Sequence, residues 1–240
     1  MILGDICTRA CRFCAVVSGR PSAPSACEPS HVAEMVDALD LNYVVITSVT
    51  RDDLPDGGAG QFVRTIQALR QKRPGIKIEV LIPDFFGRRD FVETVLDSGP
   101  DVLAHNVEMV ERLFPTLRPQ ADYQRSLGVL RTAKAAGKGI LVKSGFMVGL
   151  GETEEEIERL MADMSQTGCD MLTIGQYLAP SRDGRHVPVD RFVSPSVFEM
   201  YRQKALKLDF RHVFSGPLVR SSYIAEEGYR ACQDVRKGEV

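Results

Sequence analysis

Short β-rich apolar runs recur along the chain, and this recurrence constrains the fold more than any other feature. They are "MILGDI" (1–6), "YVVITSV" (43–49), "KIEVLIP" (77–83), "DVLAHNV" (101–107), "ILVKSGFMVGL" (140–150) and "MLTIGQYL" (171–178). Between them, residues 29–40, 60–73, 88–98, 122–136 and 153–167 carry the spacing of amphipathic helices, and turn sequences such as "RPG" and "AAGKG" close some of them. Strands that are hydrophobic almost throughout and alternate with helices belong in a parallel sheet with helical crossovers. Such a sheet is a barrel or a doubly wound fold; the barrel is favoured, so the expected fold is α/β, a partial (β/α)6 TIM-like barrel over residues 1–180. After Tyr177 the pattern loosens into a polar, Pro-containing loop, a helix near 195–208 and a terminal helix. Residues 181–240 are accordingly expected to be a C-terminal cap of loop and helices that closes the barrel.

Composition narrows the function classes. The 240 residues are 44% hydrophobic and 26% charged, with a formal net charge of −2, which argues against a broad polyanion-binding surface, so no nucleic-acid partner is expected. No apolar run has the length needed to cross a bilayer and no secretory leader is evident, so the expected setting is cytoplasmic, with no membrane partner. Six cysteines are too few to staple a chain of this size. Three of them, Cys7, Cys11 and Cys14, form C-x3-C-x2-C in the loop after the first apolar run. On a barrel, that loop lies at the C-terminal mouth of a strand, where barrel active sites sit. Three thiolates in one short loop can each take one iron of a 4Fe–4S cube and leave the fourth iron open to a substrate or cofactor. The competing readings are a structural zinc site, with Cys27 or His31 as fourth ligand, and three buried thiols.

With Phe13 directly before its third cysteine, the loop resembles the signature of the radical S-adenosylmethionine (SAM) superfamily. Seven further stretches in order, "MILGDICTRACRFC", "TSVTRDDLPDGGAGQF", "IEVLIPDF", "HNVEMVERL", "KSGFMVGLGETEEEI", "GQYLAPS" and "VRSSYIAEE", resemble blocks of the lipoyl synthase family within it. The resemblance implies an enzyme that inserts two sulfurs, at C6 and C8 of an octanoyl chain carried on a lysine. The carrier would be a lipoyl carrier domain or the glycine-cleavage H protein, and an electron donor would be needed.

It also implies site residues. Cys7, Cys11 and Cys14 would hold the 4Fe–4S cluster whose open iron binds the amine and carboxylate of SAM, and Phe13 would lie near the adenine. Thr47 or Ser48, with backbone carbonyls of "TSVTRDD", would accept a hydrogen bond from the SAM amine; a strand-end cap is the competing reading. Asn106 and Glu108 would suit the ribose hydroxyls or the amine, against a solvated polar turn for Glu108. Gly145 and Gly149 in "GFMVGLGE" would let backbone approach the adenine; the competing reading is of ordinary strand glycines, with Glu152 beginning the next helix. Lys143 would point toward the barrel mouth and meet a carboxylate, against a snorkelling lysine. Ser221, first serine of "SSY", would ligate a second, auxiliary 4Fe–4S cluster.

In the family, the other auxiliary ligands are three cysteines spaced C-x4-C-x5-C in a segment before the radical-SAM loop. The sequence carries no such segment, and Cys27, Cys169 and Cys232 are too scattered to replace it. The expectation is an N-terminally truncated form that binds one cluster and SAM but does not form product alone. The alternatives are a paralogue that cleaves SAM on another substrate or works with a partner chain, and a non-catalytic metal-binding module. Arg182, Arg185 and Arg191 are candidates to steer an acidic carrier, against a solvated charged loop.

Overall fold

The computed structural model describes residues 1–181 and 183–238. Six parallel strands form one sheet: β3 (Tyr43–Thr47), β4 (Lys77–Leu81), β5 (Val102–Ala104), β6 (Leu141–Val148), β7 (Met171–Gln176) and β8 (His212–Gly216), hydrogen-bonded in that order. Their order in space follows their order in sequence, and β3 and β8 are the two edges, so the barrel is partial. A separate pair, β1 (Ile6–Cys7) and β2 (Val17–Ser18), brackets the cysteine loop.

α1 (Glu28–Ala38) leads into the sheet; the crossovers are α2 (Ala59–Lys72), α3 (Arg89–Asp97), α4 (Phe114–Leu117) with α5 (Tyr123–Ala135), α6 (Glu154–Gln166) and α7 (Pro195–Leu206), and α8 (Ala225–Gly238) follows β8. Local chemistry explains several of their starts. Pro29 and Pro195 open α1 and α7, where a missing N–H costs nothing. Asp122 caps α5, and Thr153 with Glu156 forms a capping box on α6. The helices cover one face of the sheet, and every residue of β5 and β7 is buried, which is why those strands read as continuous apolar runs. Among the described residues no helix is long and apolar enough to cross a membrane.

Two expectations need correction. The run "MILGDI" is not a sheet strand; only Ile2 bridges to Ser48 and only Ile6 enters β1. Leu3 and Gly4 adopt left-handed backbone (φ 69° and 90°), which breaks the extended chain. The Glu28 carboxylate accepts from Leu3 N, and Arg51 donates to the Leu3 carbonyl. The sixth strand is instead β8, inside the segment expected to be only a cap of loop and helices; it pairs with β7 from Met171–His212 to Gly175–Gly216.

Candidate active site

The cysteine loop is fastened at both ends. Thr8 N and Thr8 Oγ1 both donate to the Thr50 carbonyl beyond β3, and Asp52 N donates back to Thr8 Oγ1. On the far side Arg12 N donates to the Leu117 carbonyl, Val187 N to the Arg12 carbonyl, and His186 Nε2 to the Cys14 carbonyl at 3.0 Å. The loop therefore has a defined shape built entirely from the chain's own groups. Cys7, Cys11 and Cys14, each half-buried, line one cavity of about 240 Å³ at the C-terminal ends of β3, β4 and β5.

Phe13, Thr47, Ser48, Asn106 and Glu108 line the same cavity, so most of the expected cofactor contacts are brought together. The Ser48 hydroxyl is buried without a partner, whereas the Thr47 carbonyl already accepts from Ile2 N. Glu108 stands in left-handed backbone (φ 77°), pinned because its N–H donates to the Gly145 carbonyl and its carbonyl accepts from Met147 N. Burial raises the Glu108 carboxyl above its ordinary range, against the opposing pull of Arg118 and a hydrogen bond with Asn106.

Two ionisable side chains of this cavity were not expected from the sequence, His105 and Arg118. His105 Nδ1 donates to the Ile82 carbonyl at 2.9 Å, which leaves Nε2 a lone-pair acceptor, buried and unpartnered. Burial, helped by Arg118, pushes its imidazole down to about 4, so it is neutral. Arg118 is 9% exposed and its Nε is also unpartnered. Burial pushes the Cys11 thiol up to about 11 although Arg118 opposes it, and burial raises Cys14 as well.

The remaining expected residues stand elsewhere. Asn106 and Glu108 form a common wall with a second cavity of about 150 Å³, also lined by Gly145 and Ser221. Ser221 is therefore next to the cysteine cavity rather than in it. Lys143 does meet a carboxylate: Nζ donates to Glu79 Oε1 at 2.8 Å and to the Ser221 carbonyl at 2.6 Å, and it does not face the cysteines. A Cβ on Gly145 would fall 2.2 Å from Thr173 Oγ1 and 3.3 Å from Asn106 Oδ1. Gly149 (φ 97°) packs under the 191 carbonyl and Gln176, outside both cavities. These glycines permit close packing of the chain on itself. Glu152, 5% exposed, accepts from Gly149 N and Leu150 N and shapes that turn. Arg185 and Arg191 are exposed and lie in ion pairs with Asp183 and Glu152, and Arg182 is outside the described residues.

The chain resembles known proteins in both sequence and shape. The family model described as the Radical SAM superfamily matches residues 1–164. Lipoyl synthase of Caldicellulosiruptor bescii is 54% identical over 237 residues, which cover 99% of this chain and 81% of that one. Lipoyl synthase of Rubrobacter xylanophilus is 54% identical over 240 residues, 100% of this chain and 73% of the relative. The chain belongs to the lipoyl synthase family. Among solved structures, methylornithine synthase superposes with a TM-score of 0.63 at 15% identity, covering 89% of this chain and 69% of that one. A maturase of the FeFe-hydrogenase superposes with a TM-score of 0.69 at 14% identity, covering 95% and 53%. At such identities the likeness concerns the fold, and it bears out the partial barrel.

Membership in the lipoyl synthase family implies a 4Fe–4S cluster and SAM as cofactors. The residues fit that pair. Three cysteines of one fastened loop line a single cavity that is also lined by an unpaired hydroxyl, an amide and a carboxyl, those of Ser48, Asn106 and Glu108. Among the described residues no three His, Cys, Asp or Glu side chains converge on one ion. Cys27 is exposed at the start of α1, and neither it nor His31 lines the cavity, so the single-zinc arrangement with either as fourth ligand is not formed. A cluster asks instead that each thiolate reach a different iron.

Proposed function

We propose that the chain inserts sulfur at C6 and C8 of an octanoyl chain borne on a lysine of a lipoyl carrier domain or of the glycine-cleavage H protein. The observation that carries this reading is one cavity lined both by the three thiols and by Asn106, Glu108 and Arg118. In this reading Cys7, Cys11 and Cys14 hold the cluster and leave one iron for SAM. With both bound, one-electron reduction of SAM would supply the carbon-centred radical that takes a hydrogen atom from the substrate.

The chain's own groups bind and orient. Phe13 offers its ring to the adenine, and Ser48 Oγ, Asn106 and Glu108 offer acceptors to the amine and ribose hydroxyls. Arg118 is the cation available to a carboxylate. An ammonium beside Glu108 restores the charged form that burial disfavours, so binding is stronger where both charges are kept. Gly145 keeps Asn106 close to β6. Ser221 borders the adjoining cavity, where its hydroxyl suits an auxiliary cluster ligand, and Lys143 holds its carbonyl. The setting is cytoplasmic, and an external protein or small-molecule reductant supplies the electron.

The test is anaerobic incubation of the iron- and sulfide-loaded chain with SAM, a strong reductant and an octanoyl-lysine peptide. Formation of 5′-deoxyadenosine that rises with the octanoyl peptide, and not with an unacylated one, supports the reading. Equal formation with both peptides overturns it in favour of another substrate. Transfer of sulfur itself is read by the mass of the peptide.

A further inference from the structure

Arg9 lies between the first two cysteines and is 3% exposed, a burial in which Nε and Nη2 are paired and Nη1 is left without a partner. Nε and Nη2 donate to the two carboxylate oxygens of Asp52 at 2.8 and 3.0 Å. Nη2 also donates to Asp84 Oδ1 at 2.6 Å. Asp84 is fully buried and accepts in addition from Arg125 at 3.3 Å, while the Arg9 guanidinium lies 5.0 Å from the ring centre of Phe86. Asp52 follows β3 and Asp84 follows β4. One side chain thus ties the loop that bears the thiols to the ends of two neighbouring strands. In the same turn the Arg9 amide N–H approaches Cys7 Sγ at 3.4 Å.

We propose that Arg9 is a positioning residue for the three-cysteine loop. Its fork on Asp52 and Asp84 holds Cys7 and Cys11 in place before iron arrives and keeps the Arg9 amide on the Cys7 sulfur. A single ammonium cannot span both carboxylates in this way. Hydrogen bonds to cluster sulfurs and nearby charge are among the levers that set a cluster's potential, so the clamp acts on the electronics of the site as well as its shape. The inference rests on Cys7, Cys11 and Cys14 being the iron ligands.

The test compares the parent chain with Arg9→Lys and with the double variant Arg9→Met/Asp84→Asn, which removes the buried carboxylate that Arg9→Met alone would strand. Each is loaded anaerobically, and three quantities are read: bound iron and sulfide, the rate of iron loss to a chelator, and the midpoint potential of the cluster by EPR-monitored titration. The expected result is a double variant with parental far-UV circular dichroism that loses iron at least about tenfold faster and titrates at a shifted potential, with Arg9→Lys in between. Iron loss and potential equal to the parent's in the double variant overturn the inference. Failure of the parent itself to bind iron and sulfide refutes the ligand assignment instead, so the two failures are distinct.

Discussion

Glu108 combines a left-handed backbone with a half-buried carboxyl on the cavity wall, and the two properties make separable demands. A non-glycine residue in that conformation costs about 1–2 kcal/mol. Glu108→Gly is therefore expected to melt at or above the parental temperature while binding SAM at least about tenfold more weakly, a loss in the range of a charge-assisted hydrogen bond. Calorimetry and equilibrium dialysis check the two halves. His105 carries a pH dependence. Its imidazole sits at about 4 in the folded chain against an ordinary 6.5, so between those values the unfolded chain takes up a proton that the folded chain refuses. The stability it contributes is complete above about pH 6.5 and is lost as pH falls toward 4, on the order of 3 kcal/mol. Urea unfolding at pH 7 and 4.5 should show a smaller acid loss in His105→Gln than in the parent. The cysteines, Asn106 and Glu108 were legible in the sequence because spacing and family blocks carry them. Arg9, His105 and Arg118 were not, because their partners are the ends of other strands. Asp52 and Asp84 become neighbours only when β3 and β4 pair.

At the scale of elements, one buried cluster joins four parts of the chain. Tyr43 on β3 donates to Glu79 Oε2 on β4 at 2.7 Å, and Glu79 accepts from Lys143 on β6, which also donates to the Ser221 carbonyl beyond β8. Lys143 and Glu79 are 2% and 0% exposed, so breaking the pair strands a buried charge. Lys143→Met should lower unfolding free energy by about 3–5 kcal/mol, and Lys143→Met/Glu79→Gln should recover most of it. Hydrogen exchange of the 219–223 amides should accelerate in both variants, because each loses the donor to Ser221. The helices were legible to within a few residues, since amphipathic spacing with Pro29, Pro195 and the Thr153 cap marks them in the sequence itself. The edge elements were not. A run such as "MILGDI" has strand composition, and only the contacts of Leu3 with Glu28 and Arg51 show why it turns. "HVFSG" is too short and too close to "GPL" to announce a strand, and its place depends on β7.

For the molecule as a whole, cofactor loading is coupled to protons. The Cys11 thiol at about 11 and the raised Cys14 are protonated at neutral pH, and binding iron requires their thiolates. Loading with iron and sulfide should therefore release protons, and its rate should increase between pH 7 and 9 at fixed iron; a pH-independent rate would contradict the burial that raises these thiols. The same loop has a biosynthetic consequence. Its fastenings to Thr50 and Asp52 need only the segment through the end of β3 and the turn just beyond it, but those from His186 and Val187 arrive after β7 has been made. The N-terminal part of a chain is synthesised first. The thiols are thus made well before the segment that supplies their last restraints, so insertion of iron during translation would meet a half-fastened loop, and delivery after β7 and the 186–187 segment are in place meets a finished one.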